Sequence, residues 1–150
     1  MKKMLVVVLM VGSILVQPVQ IDAEVPMPCS AVLESVLADH VNAKGAALVY
    51  KVKLTPSFPR TSVSIHANHL PAPSTAGEYD GYEGFTFIPN EISWRFKLFP
   101  TPGEGSPTWT GRIDDITADL TNSTVEVRLS NSNTGKLGPV ILRNTMNACK

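Results

Sequence analysis

From Gly45 onward, the apolar residues of this 150-residue chain recur at every second position. The clearest run is 92–98. Ile92, Trp94, Phe96 and Leu98 point one way, and Ser93, Arg95 and Lys97 point the other. Successive side chains of a strand alternate between its faces, so a period of two with one apolar face marks a strand packed on a core with its other face wet. Leu48, Tyr50, Val52 and Leu54 show the same pattern, as do Val63 and Ile65, Phe85 and Phe87, and Val125, Val127 and Leu129. Val140 to Leu142 opens a closing strand after the turn at 131–135. The phase slips at Asp114-Asp115, because Ile116, Ala118 and Leu120 have the opposite parity to Ile113. A one-residue slip would turn every later side chain to the wrong face, so a bulge or break is expected there. Thr121 to Thr124 reads as a hairpin turn between the strands on either side.

One segment has a different period. Val32, Leu33, Val36, Leu37 and Val41 recur at near-helical spacing after Ser30, a residue suited to cap a first turn, and Asn42 and Gly45 offer a stop. The reading is a helix over 30–41. Seven or eight short strands punctuated by Pro, Gly, Ser and Asn, with one N-terminal α-helix over an end or edge, predict a mainly β fold. The expected form is an antiparallel β-sandwich, Ig-like or jelly-roll-like.

The first 23 residues have the parts of a secretory signal peptide. Lys2 and Lys3 precede an apolar run from Leu5 to Val16, and a more polar stretch ends at Ala23. The apolar run is about a dozen residues, short of the ~20 that span a bilayer. Residues 24–150 then form a single domain with no integral membrane span, and the protein is expected outside the cell, or in the periplasm of a two-membrane host. Cys29 and Cys149 are the only cysteines. In an exported chain they are expected to pair, closing a loop as long as the domain itself.

Charge excludes one class of partner. Beyond Ala23 there are 11 Lys and Arg against 12 Asp and Glu, with no basic cluster, so nothing steers the chain toward nucleic acid. Sequence motifs exclude others. Gly-x-Ser-x-Gly, Ser-x-x-Lys, Cys-x-x-Cys and His-Glu-x-x-His are all absent. No cofactor and no metal is expected.

Long loops on a rigid β scaffold are where function concentrates. Two such loops stand out, 67–83 and 100–107. The first ends in Glu78-Tyr79-Asp80-Gly81-Tyr82-Glu83, which combines acids with flat amphipathic rings suited to sugars and protein partners. Tyr79, Asp80 and Tyr82 are therefore candidate binding residues. Trp109, which follows the second loop, is a candidate stacking surface at a sheet end. His66 and His69, with an acid from the same region, form the alternative of a metal site or small hydrolase. Asp114, Asp115 and Asp119 are read as a solvated turn, and Asn122-Ser123-Thr124 fits an N-glycosylation pattern. The resulting expectation is a secreted, non-enzymatic β protein that binds an extracellular polymer, a carbohydrate or a protein. A self-associating matrix component is a further alternative.

Overall fold

The computed structural model describes residues 27–55, 58–103, 105–147 and 149. The expected signal peptide lies outside them. Eight strands follow one another: β1 Cys29–Ser35, β2 Lys44–Thr55, β3 Phe58–Asn68, β4 Gly81–Ile88, β5 Ile92–Pro100, β6 Trp109–Ile116, β7 Thr124–Ser130 and β8 Leu137–Thr145. All pairings are antiparallel, and the strands close into a barrel in the order β1-β2-β3-β6-β5-β4-β7-β8.

This corrects the expected sandwich. A barrel leaves no free outer edge strand, because β1 also pairs β8 through Glu34↔Arg143 and Ser35↔Leu142. It also corrects the helix over 30–41. Residues 29–35 are β1, followed by a single 3₁₀ turn at Ala38–His40, and no α-helix occurs among the described residues. The apolar set that suggested one face of a helix is split between two environments. Leu33 is fully buried and Leu37 half-buried, whereas Val32, Val36 and Val41 are exposed. Pairing of β1 with β2, from Cys29↔Val49 to Glu34↔Lys44, sets the alternation and overrides local spacing.

The expected bulge at Asp114-Asp115 is present. β3 advances two residues from Thr61 to Val63 while its partner β6 moves three, from Ile116 to Ile113. The expected hairpin at 121–124 is not formed. β6 lies beside β3 and β5, and β7 beside β4 and β8, so residues 117–123 cross an end of the barrel instead of turning back.

The barrel interior is filled by inward side chains, among them Leu33, Ala47, Val49, Val63, Ile65, Tyr82, Leu98, Val125, Val127 and Leu142. Gly84 faces inward and a Cβ there would lie 2.5 Å from the Phe96 ring, so only glycine leaves that ring its place. The two ends differ. At one end lie Cys29 of β1, the 117–123 crossover and the tail after β8, with the Cys29–Cys149 disulfide spanning 120 residues of sequence. We call this the bridged end. At the other, the loop end, lie residues 36–43, 69–80, 101–108 and 131–136.

Candidate functional site

Three of the four residues singled out in the sequence meet at the loop end. Tyr82 is the second residue of β4 and Trp109 the first of β6. Both side chains turn into the barrel mouth, where their rings meet edge to face with centroids 5.0 Å apart. The Tyr82 hydroxyl donates to the Pro71 carbonyl of the crossing 69–80 loop, and burial pushes the phenol far above its ordinary range. It therefore stays a neutral donor. Trp109 is at a sheet end as expected, but only 9% of it is exposed, so it offers an edge and not a stacking face.

Asp80 stands on the rim. Its carboxylate accepts from the Ser132 amide at 2.8 Å and from the Ser132 hydroxyl, and these bonds hold its carboxyl below the usual range. Its own amide donates to the Ser130 carbonyl at 3.1 Å, extending the β4–β7 ladder by one step. The facing loop is built by Asn131. Its side-chain oxygen accepts from the amides of Asn133 and Thr134, and its side-chain nitrogen donates to the Glu78 carbonyl. Lys136 pairs with Glu78 across the same contact. Two loops whose tying contacts span 52 to 58 residues of sequence are thus held together.

Tyr79 goes elsewhere. Its ring lies against Gly138, where a Cβ would approach within 2.5 Å, so Tyr79 fastens the loop to β8 and does not line the cleft. The cleft itself, about 230 Å³, is lined by Asp80, Tyr82, Lys97, Trp109, Ser130 and Ser132, with Leu98 and Pro100. It presents one carboxylate, one ammonium group and two serine hydroxyls around an apolar floor. No histidine or cysteine lines it. Hydrogen-bonding groups of both kinds over a small apolar surface suit a neutral polar ligand.

His66 and His69 do not converge on one cleft. His66 projects from the outer face of β3 into a shallow groove with Leu48, Thr110 and Arg112. His69, in the left-handed region at φ 55°, borders a separate cleft with Asp39 and His40. Among the described residues no group of three or more His, Cys, Asp or Glu is placed to hold a metal. The second acidic group is also divided. Asp114 accepts from Ser62 at 2.6 Å and pairs with Arg112, while Asp119 caps Thr121. A cleft of about 200 Å³ at the bridged end, lined by Met27, Lys51, Thr61, Asp119 and Leu120 among others, has no aromatic wall.

Two carboxylates that the sequence reading did not single out individually lie on the outer wall. Glu83 takes Arg95 in two hydrogen bonds, at 2.6 and 3.0 Å. Glu126 takes both Arg128 and Arg143, and the Arg128 guanidinium lies over the Phe85 ring at 5.5 Å. The arginines cover the acids, leaving Glu126 only 1% exposed. The available signal was Glu126-Val127-Arg128, opposite charges two apart and hence on one face of a strand.

No solved structure matches this chain. A protein of Bacillus subtilis strain 168, described as SPbeta prophage-derived uncharacterized protein YoqH, is 55% identical over 150 residues, covering 99% of each chain. The family with that same description matches residues 25–150, which takes in the whole barrel and both cysteines. The chain therefore belongs to the YoqH family.

Proposed function

We propose that this is an exported, non-enzymatic binding protein whose loop-end cleft holds a sugar unit of an extracellular polymer. The observation that carries the reading is the convergence of Asp80 and Tyr82 from one segment, Lys97 from β5 and Trp109 from β6 around one cleft. Asp80 and Lys97 supply an acceptor and a donor to hydroxyl groups, and Leu98 and the Trp109 edge take the apolar side of a ring. The rim is pre-ordered by the Asp80–Ser132 and Glu78–Lys136 contacts, which lowers the ordering cost on binding. Export rests on residues 1–23, and the Cys29–Cys149 bridge suits life in an oxidising compartment.

The test is a glycan array followed by calorimetry on each hit, using the wild type, Asp80→Ala and Lys97→Ala. Each substitution is expected to weaken a true hit by about tenfold or more, the equivalent of one charge-assisted hydrogen bond. A blank array together with an empty pull-down from native extracellular material sinks the proposal.

A further inference from the structure

We infer that a sugar chain held at the loop-end cleft continues over the Phe99 ring into the groove of His66 and Arg112, so that the ligand is a linear polysaccharide gripped over several units. The inference rests on the reading of the cleft as a sugar site and adds a second subsite to it.

Cleft and groove lie on one lateral row of the outer wall. Ser130 and Gly81, which line the cleft, are paired across β7 and β4. Gly81 is one residue beyond the Tyr82↔Leu98 pair, which sets it beside Phe99 of β5. Phe99 pairs with Thr110 of β6, Thr110 with His66 of β3, and His66 with Ala46 of β2. Residues paired across strands share a face of the sheet. Neighbouring strands lie about 4.8 Å apart, so the row from Ser130 to His66 covers roughly 19 Å.

This row supplies the stacking face that the cleft lacks. Tyr82 and Trp109 are buried against each other, edge to face. The most exposed aromatic ring among the described side chains is Phe99, at 63%. It follows Lys97 on the outer face of β5, because residues two apart on a strand share a side. Gly81 puts no side chain between that ring and Ser130. A flat exposed ring beside a cleft with hydrogen-bonding groups suits the apolar face of the next sugar unit.

Past Phe99 the wall repeats the chemistry of the cleft. The groove, about 460 Å³, has Ala46 and Leu48 as an apolar floor and Ser64, His66, Thr110 and Arg112 as hydrogen-bonding groups. Arg112 is anchored through its Nε to Asp114 at 3.0 Å. A guanidinium has five N–H donors, so Arg112 keeps donors for sugar hydroxyls. The wall on the other side of the cleft carries ion pairs instead. There Arg95 covers Glu83, and Arg128 and Arg143 cover Glu126. The chain therefore leaves the cleft toward β6 and β3.

Calorimetry on the intact protein tests this, with the mono- to hexasaccharides of cellulose, chitin, xylan and starch as probes. In the series that the cleft takes, the hexasaccharide is expected to bind about thirtyfold or more tighter than the monosaccharide, beyond what counting repeated units supplies. Phe99→Ala, at an exposed position, is expected to cut that ratio by about tenfold, and His66→Ala to remove the gain of the longest members. Amide resonances of His66 and Thr110 are expected to shift with the hexasaccharide and to stay in place with the monosaccharide. Two outcomes overturn the inference while the cleft reading stands. A monosaccharide binds and depends on Lys97, yet the hexasaccharide gains only the repeat count. Or the gain with length survives in Phe99→Ala. If no member of any series binds, the cleft reading and the inference fall together. A concentration-dependent dimer that Phe99→Ala dissociates assigns the ring to a second copy of this chain and also overturns the inference.

Discussion

At the bridged end, Leu120 of the 117–123 crossover and Met146 of the tail are buried to 1% and 0%, and the Met146 amide donates to the Ser123 carbonyl at 2.8 Å. At the loop end, the mouth is filled by Tyr82 and Trp109 and ringed by exposed polar residues held in side-chain hydrogen bonds. One end is closed by apolar burial and a covalent link. The other is ordered by polar contacts that leave charged groups facing water. Burial and cross-linking stabilise strongly, whereas exposed polar contacts stabilise little and can exchange a protein partner for a ligand. On the proposed reading, stability and recognition reside at opposite ends of the same barrel, and each end can be perturbed without the other.

The largest expected effect is on the covalent link. Replacing Cys29 and Cys149 with serine is expected to lower unfolding free energy by about 4–5 kcal/mol, as chain entropy predicts for a loop of this length. Urea unfolding with and without reductant measures it, and equal midpoints would separate stability from the bridge. Next is the apolar plug. Met146→Ala is expected to cost about 2–5 kcal/mol, the range for a buried large-to-small change, with no effect on ligand binding at the loop end. Tyr82→Phe removes only the hydrogen bond to Pro71 and is expected to cost about 1 kcal/mol in the same unfolding assay.

The smallest effect on stability falls on Asp80, which is fully exposed. Asp80→Ala is expected to leave the unfolding midpoint where it is and to change only binding. Its carboxyl is held below the ordinary 3.8 by Ser132, so the contact is fully present above that value and is lost as pH falls through the lower folded value. The amide resonance of Ser132 is expected to titrate below pH 3.8 in step with it. A Ser132 shift centred near neutral pH would break the assignment.

Parts of this architecture are legible in the sequence because they are local. Strand alternation at 92–98 and 125–129 reports which face meets the core, and the parity change at Asp114-Asp115 reports the bulge. The segment 30–41 misleads because Val32, Leu33, Val36, Leu37 and Val41 satisfy a helical stripe as well as a strand, and only pairing with β2 decides between them. Closure of the barrel is not legible at all. It depends on β1 meeting β8, through residues more than a hundred positions apart. Within the site, Tyr82 and Trp109 were identifiable as large aromatics near loops. Their mutual burial was not, since it needs the 69–80 crossing above them. Lys97 escaped notice because it reads as the wet side of an ordinary strand.

The bridge also changes what a cut in the chain means. Every loop of the loop end lies between Cys29 and Cys149. A protease that nicks 101–108 or 131–136 releases no fragment, because the two pieces remain one covalent molecule. The product is a two-chain molecule held by the bridge, with two new termini placed at the mouth and all eight strands retained.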